Sequence, residues 1–264
     1  MQRRTAITLA AAGALGLALP AAQAQILDLS DAINKAGRQR MLSQRMGKAW
    51  LALLQGVEKN SAQMVLDKSM ALFDRQLVEL KAFAPNPGLV STYSALEAAW
   101  QEYKTALVGK APSREAASSL LQLDAKVLAL AHQGTVQFEA AQAKPVGKLV
   151  NIAGRQRMLS QRMAKFYLAN ALPVDAKYAV AEIAKARTEF GGAMDVLRNA
   201  PEATPRIKEE LTLADGQWVF FDAALQRLET GAQSSKSMTE VFVASENLLS
   251  VMDRVTGLYA AVRT

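Results

Sequence analysis

Six arginines stand at spacings that could do chemistry. The segment AGRQRMLSQRM occupies Ala36–Met46 and recurs letter for letter at Ala153–Met163, 117 positions later. The first copy carries Arg38, Arg40 and Arg45, and the second carries Arg155, Arg157 and Arg162. A guanidinium is a planar, permanently charged fork whose donors match carboxylates and small planar oxyanions. What each arginine can do depends on the face of the element that carries it.

Turned as helices, the two copies separate their arginines. Ile33, Gly37, Arg40, Gln44, Gly47, Leu51 and Leu54 follow the alternating four-and-three spacing of a helix-contact seam. Val150, Gly154, Arg157, Gln161, Ala164, Leu168 and Ala171 repeat it. Leu42, Met46, Ala49, Trp50 and Leu53 form a second, apolar face suited to a bundle interior. Arg38 and Arg45, with Arg155 and Arg162, fall on a third, outer face.

Arg40 and Arg157 are therefore the unusual pair. A buried guanidinium needs a partner, because an unpaired buried charge costs several kcal/mol. Two partners would serve. An Asp or Glu from another helix could pair with each arginine. Alternatively, the two halves could pack about a pseudo-twofold axis with their motif helices side by side. A small planar oxyanion between Arg40 and Arg157 would then turn their repulsion into a clamp. Gly37 and Gly154, lacking side chains, would let the backbone approach that ligand.

Helical periodicity runs from Leu27 to the end, and no strand-like alternation interrupts it. Pro, Gly and Ser clusters divide it into eight helices, near 28–57, 60–84, 89–110, 113–142, 147–171, 174–199, 204–230 and 236–262. The repeat extends beyond the motif. Asn34, Lys48, Phe73 and Leu80 match Asn151, Lys165, Phe190 and Leu197, and Trp100, Tyr103 and Leu107 match Trp218, Phe221 and Leu225. The expected fold is all-α: two tandem four-helix up-down bundles, at 25–145 and 146–264, the product of a duplication.

Residues 1–24 read as a cleaved secretory signal peptide. Arg3 and Arg4 open it, an apolar run covers Ala6–Leu19, and Ala22-Gln23-Ala24 supplies the cleavage site before Gln25. No later stretch reaches about 18 uninterrupted apolar residues, so the mature chain is expected to be soluble and periplasmic. Cysteine is absent, which excludes disulfides and Cys-based metal or redox chemistry. Losing the two signal arginines lowers the formal charge from +7 to +5. So mild and scattered an excess favours small anions and argues against nucleic acid.

Other candidates are weaker. His132 is the only histidine, so neither a His-based metal site nor a histidine triad can be assembled, and it reads as a surface or core residue. Glu209-Glu210 falls in a polar stretch. Met41, Met46, Met158 and Met163 suit adaptable packing, and Trp100 and Trp218 suit the core. With no phosphate loop, dinucleotide fingerprint or nucleophile elbow, no enzymatic activity and no cofactor are expected.

The pattern NxAGRQRMLSQRM resembles the signature of the PilJ/NarX-like sensor domain. That domain occurs in nitrate/nitrite sensor kinases of the NarX and NarQ type and in the type IV pilus chemotaxis transducer. The signature falls on Ala36, Gly37, Arg40, Met41, Ser43 and Arg45, and again on Ala153, Gly154, Arg157, Met158, Ser160 and Arg162. Arg38-Gln39 is closer to the pilus-transducer version. Ser245–Tyr259, SENLLSVMDRVTGLY, resembles the family's last helix. The resemblance implies a periplasmic four-helix bundle that dimerises and holds one nitrate between motif arginines. It makes Arg40 and Arg157 the ligand arginines, and Gly37 and Gly154 the backbone contacts.

These readings point to an exported sensory protein that binds a small oxyanion, nitrate or nitrite, in an intrachain pseudo-dimer or a homodimer. It would signal through a membrane-bound partner. A helical adaptor of the cell envelope, with its arginines paired to carboxylates, is the alternative.

Overall fold

The computed structural model describes residues 25–172, 176–228 and 233–263. These residues form eight helices and no strand: α1 (Leu29–Leu54), α2 (Lys59–Phe83), α3 (Pro87–Val108), α4 (Ala117–Gln142), α5 (Pro145–Ala169), α6 (Ala176–Asn199), α7 (Pro205–Gln226) and α8 (Ser235–Ala261). The all-α, two-bundle expectation holds, and the signal segment at 1–24 lies outside the described residues.

Local chemistry sets the helix ends. The Asp28 side chain accepts from the Asp31 amide to start α1, and Asn86 and Thr204 cap α3 and α7, each followed by proline in the first turn. Ser234 and Ser237 cap α8 reciprocally. The start of α4, at Ala117, lies beyond the expected position 113. The Ser113 hydroxyl accepts from the Ala116 amide at 3.3 Å, holding a turn ahead of the helix instead of capping it. Between the bundles only Ala143, in the left-handed region at φ 53°, and Lys144 intervene before Pro145 opens α5. The chain therefore passes from one bundle into the next within two residues.

Helices α1–α4 form one bundle and α5–α8 the other, and α1 and α5 make the principal contact between them. Gly37 faces Gly154, and the Gln55 side chain donates to the Leu168 carbonyl at 2.8 Å, so α1 and α5 run parallel and in register. Leu42, Met46, Ala49 and Trp50 fill the first bundle's interior, as their spacing indicated. Trp100 stacks on Phe73 at 4.2 Å between ring centroids, and Trp218 on Phe190 at 4.3 Å, so the duplication is preserved in the packing. Burying each such side chain stabilises a bundle by about 2 kcal/mol. No helix among the described residues is long and apolar enough to cross a membrane.

Candidate functional site

The parallel register of α1 and α5 brings the four sequence-selected residues together. Arg40 and Arg157 are fully buried. A side-chain carbon built on Gly37 would lie 3.2 Å from Arg40 Nη2 and 3.5 Å from Arg157 Nη2. On Gly154 it would lie 3.2 Å from Arg157 Nη2 and 3.7 Å from Arg40 Nη2. Both guanidinium tips thus lie over one pair of glycines, in the space a side chain would otherwise fill.

Their polar contacts are reciprocal. Arg40 Nη2 donates to the Asn151 carbonyl at 3.3 Å and to Asn151 Oδ1 at 2.7 Å, and Arg157 Nη2 donates to the Asn34 carbonyl at 3.0 Å. Asn34 and Asn151 are repeat equivalents, so each arginine crosses the interface to the same position of the other half. That is the signature of a pseudo-twofold axis between α1 and α5. The Nε of each arginine is buried and has no hydrogen-bond acceptor among the described residues.

The symmetry ends at the next layer. Arg157 Nη1 is paired with Asp253 Oδ1 of α8, which also accepts from Arg38 Nη2 at 2.9 Å. Arg40 Nη1 instead meets His132 Nδ1 of α4 at 3.3 Å. Of the two partners anticipated for the seam arginines, a carboxylate is present on Arg157, while among the described residues no carboxylate is bonded directly to Arg40. Burial, then the charges of Arg155 and Arg157, bring the Arg40 pKa down to about 9. Burial also brings Arg157 to about 10, against the opposing pull of Asp253. Both remain charged at neutral pH. Burial would raise the Asp253 carboxyl, but Arg157 and Arg38 outweigh it and hold it near 2. Burial and the neighbouring Arg40 and Arg155 lower His132, favouring its neutral ring.

The arginines assigned to an outer face are each engaged by a carboxylate. Arg45 grips Glu246 of α8 through Nε at 3.0 Å and Nη2 at 2.5 Å, and Lys48, fully buried, reaches the same carboxylate at 2.6 Å. Arg155 and Arg162 turn to Glu189 and Glu182 of α6. An outer face of one bundle has become a contact with a neighbouring helix, which the periodicity of a single helix cannot foresee. Deeper in, Lys165 is paired with the buried Asp124, which also accepts from Gln44 at 2.8 Å.

Sequence reasoning passed over Asn34 and Asn151 as ligands of the arginines, His132, Glu246 and Asp253 as their neighbours, and Asp124 as the partner of Lys165. The signals were present: both asparagines lie within the repeat, and Glu246 and Asp253 lie within SENLLSVMDRVTGLY. Only the packing of α4 and α8 against the seam says which arginine each one meets. No cluster of three or more metal-ligating side chains occurs among the described residues.

Comparison with known proteins fits this duplicated architecture. Searches of curated proteins and of solved structures each returned no match. The family model described as "Type IV pili methyl-accepting chemotaxis transducer N-term" matches twice, at residues 21–127 and 139–244. The two matches span most of both halves, and that family is sensory rather than catalytic. The chain belongs to the PilJ family of chemotaxis-transducer N-terminal domains and carries two copies of that domain in tandem.

Proposed function

We propose that this protein is an exported, periplasmic sensory module whose central ligand is a small planar oxyanion, nitrate or nitrite, held between Arg40 and Arg157. The observation that carries this reading is the pair of unsatisfied, buried Nε donors on two guanidiniums poised over Gly37 and Gly154. An oxyanion accepting from the Nε and Nη2 edge of each arginine would satisfy both donors and screen the repulsion between the two charges. Because α1 and α5 supply one arginine each, occupancy would change how the two bundles bear on each other. A membrane-bound signalling partner would read that change. The intrachain pseudo-dimer supplies both halves of the clamp from one polypeptide.

The Asp253 pairing of Arg157 favours a second reading, an adaptor in which the arginines serve only to lock the bundles together. Titration calorimetry of the chain against nitrate, nitrite, sulfate and chloride separates the two. The sensory reading expects saturable heat with nitrate or nitrite, abolished in Arg40→Lys and Arg157→Lys, which keep the charge but lose the two-pronged donor. Heat that persists in both variants, or no response to any of the four anions, leaves the adaptor.

A further inference from the structure

Helices α4 and α8 are pseudo-equivalent, with matching positions 121 apart. Thr135 and Thr256 are both buried and both donate to the carbonyl four residues back, Ala131 and Met252. Gln44 reaches Asp124 as Gln161 reaches Ser245. In this register Asp253 corresponds to His132 and Glu246 to Ala125. The two carboxylates that neutralise Arg38, Arg45, Lys48 and Arg157 beside α8 therefore have no counterpart on α4.

A cavity of about 300 Å³ lies where those carboxylates would project. Its α4 wall is Ala125, Leu128, Ala129 and His132, and its α5 and α6 walls include Met158, Leu159, Arg155 and Lys185, with Arg40 reaching it from α1. Glu182 and Glu189 also line it, but they are engaged by Arg162 and Arg155. Arg40 has two edges: Nη2 faces Arg157 and the glycines, whereas Nη1 faces His132 on the cavity side. On Arg157 the matching Nη1 holds a carboxylate.

We infer that this cavity is a second ligand site, for an organic monocarboxylate with an apolar body. Its carboxylate takes on Arg40 Nη1 the place that Asp253 takes on Arg157, and its body lies against Leu128, Ala129 and Met158. Lys185, exposed at the rim and in no ion pair among the described residues, draws the anion in. The cavity is larger than a nitrate needs. At about 30 Å³ per water-sized group, the cavity admits a body of about ten heavy atoms. The site shares Arg40 with the oxyanion clamp but uses its opposite edge, so neither reading depends on the other.

Benzoate is the test probe and benzamide its uncharged isostere, each titrated calorimetrically into the full chain. Saturable binding of benzoate but not benzamide is expected. His132→Asp places this chain's own carboxylate on Arg40 and should weaken benzoate by at least about tenfold while raising the melting temperature. Ala129→Trp, at an exposed helix position, fills the cavity and should do the same to benzoate without the thermal gain. Arg157→Lys separates the two sites, removing any nitrate response and leaving benzoate affinity within about twofold. No benzoate binding, equal binding of benzamide, or wild-type affinity in both His132→Asp and Ala129→Trp would overturn the inference.

Discussion

The cleft beside α8 and the cleft beside α4 descend from one sequence and carry the same three arginines, yet they neutralise them differently. Beside α8 the acid comes from the bundle opposite: Asp253 joins Arg38 to Arg157, and Glu246 joins Arg45 to Lys48. Beside α4 the acid has moved to α6, where Glu182 and Glu189 occupy the repeat positions of Val65 and Leu72. The first arrangement ties bundle to bundle, and the second ties α5 to its own neighbour. Arg40 is consequently left with an amide and an imidazole where Arg157 has a carboxylate. A duplicated fold can thus keep one seam as a structural lock and open its twin.

The most damaging way to break this comparison is at Asp124, the fully buried acid of α4. Both it and Lys165 are buried, so Asp124→Ala strands an ammonium and should lower unfolding free energy by about 4 kcal/mol in urea titrations. A loss no larger than that of an exposed pair would show that Lys165 finds another partner. Next comes the unequal pair itself. Asp253→Ala leaves Arg157 and Arg38 without their carboxylate and should cost about 2 kcal/mol, whereas His132→Ala should be nearly neutral, within about 0.5 kcal/mol. Equal losses would mean that the histidine and the aspartate do the same job.

Acid sharpens the contrast. Asp253 and Glu246 both sit near 2 when folded, below their ordinary values. A lowered carboxylate contributes stability that is present above its unfolded pKa and lost as pH falls toward the folded one. Stability should therefore fall between about pH 5 and pH 2, and Asp253→Asn should flatten that decline; an unchanged acid limb would remove Asp253 from the account. The smallest effect belongs to the half-exposed pair on the α6 side. Glu189→Ala should cost about 0.5 kcal/mol and become undetectable at high salt, as differential melting with and without 1 M salt would reveal.

Much of this arrangement was legible in the residues. The eight helices follow from periodicity and from proline, glycine and serine punctuation, which act within a few residues of each other. The four-and-three spacing singled out Arg40 and Arg157 because only a seam position forces a guanidinium inward. The exact repetition of the motif identified the duplication, and Gly37 and Gly154 marked the close approach. The start of α4 was misjudged because Ser113 has two uses, a cap or a turn, that sequence cannot rank. Arg38 and Arg45 were placed outside because the periodicity of one helix says which residues share a face, and not what that face meets.

What the sequence determined by itself is therefore local and periodic: helix limits, the contact seam, the doubled motif, and which arginine in each copy is turned inward. Only tertiary packing decided that Asp253 reaches Arg157 while His132 reaches Arg40, and that a cavity opens beside Arg40. The reason is separation along the chain. Ninety-two residues part Arg40 from His132 and ninety-six part Arg157 from Asp253. No local rule spans such a distance, so the charge balance of each cleft is set when α4 and α8 dock against the seam.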